Sequence, residues 1–359
     1  LAGVLRRRLA TQRLAGAPDA TAAASVRRLV CVQAQDAPLA AWSLALRSRR
    51  ATRADVDAEQ ASGAFVRTHI LRATWHLVAA EDLRWVLHVT SPKVIQASAG
   101  RHRQLGLTAA VVDRAHARLG DLLADGAALP RAALAPELTD AAHPLAGQRA
   151  GHLLMLAELE GIVCSGPPDG ATHTYTLVDR AIAPAAADRP DRDEGVRRLV
   201  HRFFQGHGPA TDRDLARWCT LTLTEIRAAL DELGGVLECV DVDGERMWFD
   251  PAERGSARSR PEAYLLSTFD EAALTYARHG FPRGDPATDR SRMIAEAGGG
   301  IVVVGLTDVG VFRRTVGTKA VDVTVRLDRP LAPDARDAVR EAADRLAAFT
   351  QRPLRLTFA

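Results

Sequence analysis

The segment from residue 208 to 250 carries the pattern that most restricts how this chain can fold. Thr211 is placed as the N-cap of a short helix, and a second helix begins at Leu223, has apolar residues at helical spacing and stops at a Gly-Gly pair. Two strand-like runs follow, at 236–240 and 246–249, around an Asp-Gly turn. Helix, turn, helix and hairpin is the order of elements in a winged helix.

The same order of elements occurs twice more. In the middle of the chain, residues 126–138 and 149–161 predict two helices, and two strands are predicted around the turn at 167–170. A looser copy lies near the start of the chain. It predicts helices at residues 25–33, 39–49 and 52–60 and strands within 65–78. Repetition at this length indicates an array of similar units.

After Arg260 the pattern changes to a β-rich module with one helix. Strands are predicted at 300–306, 309–314, 319–327 and 353–358, and a helix at 334–350. We therefore predict an α+β fold with three tandem winged-helix units and a small β-barrel-like module. The predicted regions are 1–107, 108–190, 191–260 and 261–359.

Positive charge is concentrated at the front of the chain. The net charge is +3, but residues 1–107 contain 16 Lys+Arg against 7 Asp+Glu. Nearly all of these cations are arginine, whose planar guanidinium suits phosphate, so a polyanionic partner is one interpretation. The other is that arginine simply replaces lysine throughout the chain. Tandem winged helices, many of which hold nucleic acid, favour DNA over a purely protein-binding role.

Other function classes are disfavoured. The sequence has neither a long uncharged apolar run nor a basic leader before a short one, so no membrane span or secretory signal is predicted and a cytoplasmic location is expected. The four cysteines are scattered, which predicts buried thiols and no zinc site or disulfide. No deaminase-type zinc motif is present, and residues 298–300 precede a strand, unlike a nucleotide-binding loop. No metal or other cofactor is predicted.

Two glutamines occur where an apolar run meets a proline. Gln33 and Gln35 flank Ala34, and in a regular helix their side chains would point roughly 200° apart. Pro38 disfavours helical geometry at Ala37, so we expect a helix to end here and a bend to bring both amides to one surface. The alternative is an ordinary final helix turn whose amides cap unpaired carbonyls.

A second polar set follows in residues 68–77. If this segment is one strand, side chains alternate between its two faces. The polar face then carries Thr68, Arg72, Thr74 and His76, and the apolar face carries Leu71, Trp75 and Leu77. The polar group could form ion pairs with Asp36 or Glu81, or it could belong to a site. Its position in the same predicted unit as the glutamines favours a site.

These motifs, taken in order, resemble the winged-helix DNA glycosylase superfamily. The matching stretches are 30–38, 70–78, 265–271 and 309–314, and the Gln-Ala-Gln form is similar to the AlkZ branch. The resemblance implies excision of the base moieties of azinomycin-type interstrand crosslinks and self-resistance of the bacterium that makes the drug. It also implies three winged-helix units and a β-barrel that together form a concave DNA-binding channel, over essentially the whole chain.

The resemblance assigns site residues individually. Gln33 and Gln35 correspond to the catalytic glutamines, and Arg72, Thr74 and His76 match an Arg-Gly-Thr-x-His run. These three and Asp36, which follows the glutamines, form the predicted supporting set. Phe269 and Asp270 match a Pro-x-Phe-Asp element. The chain departs from the family pattern at Ala73, Ser267 and Phe312, where glycine, proline and tryptophan are usual.

Two amide side chains suffice to catalyse base release if the departing base is already cationic. A guanine alkylated at N7 leaves as a neutral molecule, so no strong acid is required, and the amides need only orient a water and stabilise the developing sugar cation. Gln35 is expected to contact that water, by analogy with a carboxylate in sister enzymes. Unmodified purines should be spared. The predicted activity is that of a monofunctional DNA glycosylase acting on duplex DNA with alkylated purines or crosslinks.

Basic side chains should line an open DNA-binding face, which suits a tethered crosslink better than a closed base-flipping pocket. The candidates are Arg47, Arg49, Arg50, Arg101, Arg103, Arg313, Arg314 and Lys319. Two alternative functions remain at this point. One is a non-catalytic regulator that reads DNA sequence with a drug as effector, and the other is a scaffold for protein contacts.

Overall fold

The computed structural model describes residues 1–138, 148–169, 172–182, 190–253, 262–285 and 299–359. The helices in these ranges are α1 (Ala2–Thr11), α2 (Ala22–Leu29), α3 (Ala37–Arg47), α4 (Arg53–Ala61), α5 (Ala80–Gln104), α6 (Ala109–Leu122), α7 (Arg131–Glu137), α8 (Gln148–Leu159), α9 (Val178–Ala181), α10 (Arg192–His207), α11 (Asp212–Trp218), α12 (Leu223–Glu232), α13 (Glu271–Leu274) and α14 (Pro333–Thr350).

The strands form separate sheets. They are β1 (Cys31–Gln33), β2 (Phe65–His69), β3 (Trp75–Ala79), β4 (Leu129–Pro130), β5 (Val163–Ser165), β6 (Thr174–Leu177), β7 (Glu238–Val242), β8 (Glu245–Phe249), β9 (Ala263–Ser267), β10 (Gly299–Val304), β11 (Thr307–Val316), β12 (Val321–Leu327) and β13 (Leu354–Phe358). In the described residues their orders are β1-β3-β2, β4-β6-β5, β7-β8 and β13-β12-β11-β10-β9. The fold is therefore mixed α+β.

Threonine caps fix the start of several helices. Thr52, Thr211 and Thr222 each accept a hydrogen bond from the main chain three residues later, and the acidic residue there bonds back to the threonine's own N–H. These reciprocal capping boxes satisfy N–H groups that a helix leaves unpaired. The cap predicted at Thr211 is confirmed. The predicted Asp243-Gly244 turn is confirmed as well, with φ of 50° and 79° at its two residues.

The C-terminal strands form an open sheet and not a barrel. β9 and β13 are its two edges, and β12 and β13 pair in parallel while the other neighbours are antiparallel. A parallel pair requires a long crossover, here α14, whose apolar side packs on the sheet. Because that helix covers the sheet face, the core is buried without closure. The predicted barrel-like module is corrected accordingly, and β9 was not predicted as a strand.

Apolar cores join distant parts of the sequence. One core contains residues of α2 and α3 together with β9–β12 and α14, and Trp42 links them by donating from Nε1 to the carbonyl of Leu265 at 2.8 Å. A second core joins the β1–β3 sheet and α5 to α10–α12. The strand that carries Gln33 thus lies between these two cores, which hold it in place from both sides.

The helices of the described ranges include none that combines the length and apolar character needed to cross a bilayer. Three cysteines are buried as predicted, at Cys31, Cys164 and Cys219. Cys239 is exposed, contrary to the prediction, because β7 belongs to a two-stranded hairpin and most of its residues face solvent.

Candidate active site

The two glutamines lie on either side of a change from strand to loop. α2 stops at Leu29, so the helix predicted over 25–33 is shorter than expected, and Gln33 is the last residue of β1. Pro38 does not end a helix. It stands in the first turn of α3, where a missing N–H costs nothing, and Asp36 is the N-cap, accepting from the N–H of Leu39 at 2.9 Å.

Gln33 is held at both its side chain and its main chain. Its side-chain Oε1 accepts a hydrogen bond from Nη2 of Arg72 at 3.1 Å, and its main-chain N–H donates to Oε1 of Glu271 at 2.9 Å. The residue is 7% exposed. Gln35 is exposed, and the structure gives its side chain no hydrogen-bond partner among the described residues. One amide is therefore fixed and the other is free.

The polar strip predicted over 68–77 is a hairpin and not one strand. β2 ends at His69, the chain turns through Leu71 at φ 64°, and β3 begins at Trp75. Thr68 and His76 nevertheless share a face because they pair directly across the two strands.

Gln33 continues this row on the neighbouring strand, since it pairs with His76 on its other side. The row Gln33, His76 and Thr68 is the centre of the candidate site.

The ion pairs considered as an alternative are not formed. Arg72 donates to Gln33 and to the carbonyl of Arg217, the latter at 3.2 Å. Asp36 caps α3, and Glu81 binds Arg27. The arginine of the predicted supporting set thus contacts a glutamine directly.

His76 is fully buried and neutral. Its Nδ1 lies 3.0 Å from the carbonyl oxygen of Thr74, which can only accept, so we assign the proton to Nδ1. Nε2 is then an acceptor, and it has no hydrogen-bond partner in the described residues, nor do the hydroxyls of Thr68 and Thr74. Burial lowers the pKa of His76 to about 4. The imidazole therefore stays uncharged in the neutral pH range.

This burial predicts that the protein loses stability in mild acid. The unfolded chain takes up a proton at His76 near pH 6.5 and the folded protein only near pH 4, so between these values the unfolded state binds more protons and stability falls as pH falls. The full effect is roughly 3 kcal/mol. We expect urea unfolding midpoints to show a shallower acid decline for His76→Leu than for the wild type. His88→Leu, which changes an exposed histidine, should keep the wild-type slope, and an equal slope in His76→Leu would contradict the prediction.

Glu271 lies in the matching stretch 265–271 but was not predicted as a site residue. It is 2% exposed, and its Oε2 accepts from Nε1 of Trp218 at 3.0 Å and from the hydroxyl of Thr275 at 2.9 Å. Nε2 of His207 lies 3.5 Å away, at the outer limit of a hydrogen bond. Burial acts to raise the pKa of Glu271, but His207 and the N–H of Gln33 outweigh it and lower the pKa to about 2. The carboxylate is therefore ionised.

A clamp also fixes Ala34, between the two glutamines. Its N–H donates to the carbonyl of Trp75 at 2.8 Å, and its carbonyl accepts from Nε of Arg67 at 2.9 Å. The Arg67 guanidinium also lies 4.2 Å from the centre of the Trp75 ring. The main chain leading to Gln35 is therefore rigid even though the Gln35 side chain is exposed. Alternation alone could not identify Arg67, because it falls on the face opposite Thr68.

The predicted DNA contacts divide into exposed and buried cations. The exposed ones are Arg49, Arg50, Arg101, Arg103, Arg313 and Lys319. Arg47 is 1% exposed and forms a bidentate ion pair with Asp270 at 2.7 and 2.9 Å, so its position does not support a DNA contact. Arg314 is 8% exposed, and burial lowers its pKa to about 10 while nearby Asp36 acts to raise it. The burial of Arg314 does not support a DNA contact either.

The site can orient a water molecule, and it does so without a side chain that would act as a strong acid and protonate the leaving group. Among the described residues that contact or pair with Gln33, Glu271 is ionised and His76 is neutral near pH 7. Amide dipoles and a fixed charge can stabilise a developing cation without proton transfer. This arrangement suits a reaction whose leaving group needs no proton.

Comparison with known proteins gives consistent matches. A sequence profile of the family described as DNA glycosylase AlkZ-like matches residues 26–349. An interstrand DNA cross-link repair glycosylase of Streptomyces sahachiroi is 27% identical over 260 residues, which cover 69% of this chain and 70% of that protein. The solved structure of Streptomyces sahachiroi DNA glycosylase AlkZ is similar in fold, with a TM-score of 0.78, 24% identity and 99% of each chain covered.

Proposed function

The chain belongs to the AlkZ-like DNA glycosylase family, and on that premise we propose that it hydrolyses the N-glycosidic bond of cationic N7-alkylated purines in duplex DNA. The proposed substrates include bulky interstrand crosslinks of the azinomycin type, and the proposed role is DNA repair that gives self-resistance. One observation carries the mechanism: Gln33 is fixed by Arg72 and Glu271, whereas the exposed Gln35 follows on a clamped main chain.

The two glutamines take different roles in this proposal. A carbonyl oxygen has two lone pairs, and on Gln33 one of them is occupied by Arg72. Gln33 therefore acts as a preorganised dipole. The carboxamide of Gln35 is free to accept a hydrogen bond from the attacking water and to aim its oxygen at the sugar. This division supports Gln35 as the residue in direct contact with the water.

The reaction requires no acid from the protein. The water oxygen bonds to the anomeric carbon, the electrons of the broken glycosidic bond return to the alkylated base and neutralise its charge, and the water proton passes to solvent. A neutral His76 is consistent with this scheme, since the cationic base needs no proton to leave. Unmodified purines would need one, so they should be spared.

We propose that the helix and hairpin sections within 1–107, 108–190 and 191–260 are winged-helix units, and that they and the 261–359 module form a concave channel for duplex DNA. The exposed cations named above are the proposed phosphate contacts. An interaction of this kind should weaken steeply as salt concentration rises.

The test is incubation with a duplex that carries a single 7-methylguanine. We expect free 7-methylguanine and an intact abasic strand that breaks only after alkali, as a monofunctional glycosylase would give. The unmodified duplex of the same sequence is the control, and a duplex with one N7–N7 crosslink tests the bulkier substrate. Binding to a preferred sequence without base release would instead identify a DNA-binding regulator and contradict the proposal.

A further inference from the structure

Glu271 reaches the candidate site from a distant part of the chain. It is the first residue of α13, yet its Oε1 lies 2.9 Å from the main-chain nitrogen of Gln33, 238 residues earlier. Its other oxygen is held by Trp218 and Thr275. Every hydrogen bond in this set donates toward the carboxylate, an arrangement that favours its charged form.

The charges around Gln33 have opposite signs on its two sides. Arg72 places a cation on the side-chain oxygen, and Glu271 places an anion on the main chain. Both residues hydrogen-bond to Gln33, so the two charges flank the same residue. Arg72 is only partly exposed, so a lone cation at this position would oppose the positive charge that develops on the sugar as the bond breaks.

We propose that Glu271 is a positioning residue that supplies the negative charge of this site. It fixes the main chain of Gln33 through the N–H hydrogen bond, and its charge offsets Arg72 so that the developing sugar cation is favoured. The Gln-Ala-Gln motif itself contains no carboxylate. Glu271 provides one that accepts a hydrogen bond from the main-chain N–H of Gln33. The inference rests on the proposed glycosylase function and assigns a residue to it.

The test compares two substitutions that separate charge from shape. Glu271→Gln keeps the length and an oxygen that can accept from Gln33 but removes the charge. Glu271→Asp keeps the charge on a shorter side chain. Single-turnover release of 7-methylguanine gives the rate at saturating enzyme, fluorescence anisotropy with the same duplex gives the Kd, and thermal unfolding gives the Tm.

Asp82→Asn is the matched control. Asp82 is 1% exposed, accepts from the indole N–H of Trp85 at 2.9 Å and pairs with Arg202, so the substitution neutralises a buried carboxylate that has no hydrogen bond to Gln33. Both neutral variants should lower the Tm. Only Glu271→Gln should slow base release, by roughly 10- to 100-fold with the Kd unchanged, since the charge acts on the transition state.

Glu271→Asp should release base faster than Glu271→Gln. A Glu271→Gln rate within twofold of the wild type, or an equal loss in the Asp and Gln variants, would overturn the inference. If Glu271→Gln does not fold, a folded Glu271→Asp that loses more than 100-fold would overturn it as well, and one within tenfold would support it. A wild-type protein that releases no base would refute the proposed function itself, which is a separate result.

Discussion

Replacing Gln33 and Gln35 together by alanine is expected to slow release of 7-methylguanine by about 10³-fold or more, the scale on which loss of preorganised dipoles acts. The substitution removes both amide groups that can orient the water and stabilise the sugar cation. DNA affinity should change little, because neither side chain is one of the exposed cations. Single-turnover assays with saturating protein measure the rate, and anisotropy measures the Kd.

The two single variants and a matched control test this prediction further. Gln35→Ala should account for most of the loss, because its free carboxamide is the proposed contact to the water, and Gln33→Ala should lose less. Gln60→Ala changes a partly exposed glutamine on α4 in the same part of the chain and should match the wild type. A double variant that keeps more than a tenth of the wild-type rate would contradict the proposed mechanism.

Local signals predicted the elements around the site but not their contacts. A helix over 52–60 and strands within 65–78 were predicted, whereas alternation missed the turn at Leu71 that divides the strands. β1 is only three residues long, too short for a periodic pattern, so its pairing with β3 was not predictable. That pairing is what aligns Gln33 with His76.

Pro38 shows how one residue type supports two opposite predictions. A proline disfavours helical geometry at the residue before it, yet it is also favoured in the first turn of a helix. The prediction took the first meaning, whereas the Asp36 cap two residues earlier realises the second. The cap was the available signal, because an aspartate before such a proline is a typical helix start.

Contacts between distant segments were beyond reach of the sequence. Glu271 adjoins a motif that was recognised, but nothing local indicates that it reaches Gln33. Arg47 was predicted to contact DNA because it lies in a basic stretch, and its pairing with Asp270, 223 residues away, depends on how α3 packs against β9. Charge composition cannot distinguish an exposed arginine from a buried one whose partner comes from elsewhere.

That buried pair should be essential to stability. Arg47 is 1% exposed and Asp270 is fully buried, and replacing Arg47 by methionine would leave an unpaired carboxylate in the interior. Such a loss costs about 3–5 kcal/mol. We expect the Tm of Arg47→Met to fall by on the order of 5 °C or more. Arg53→Met removes an arginine from an exposed ion pair with Asp57 and should change the Tm by less than about 1 °C.

Arg47→Met should also disturb the position of Glu271 in the candidate site. Asp270 is the N-cap of α13 and accepts from the N–H of Ala272 at 2.9 Å, so Arg47 anchors the helix whose first residue is Glu271. Arg47→Met should therefore slow base release at temperatures well below its Tm. Asp270→Leu combined with Arg47→Met should recover the Tm in part but not the rate, since Asp270→Leu removes the cap of α13. An Arg47→Met protein with the wild-type Tm would mean that the buried pair contributes no net stability, and one with the wild-type rate would mean that Glu271 does not depend on it.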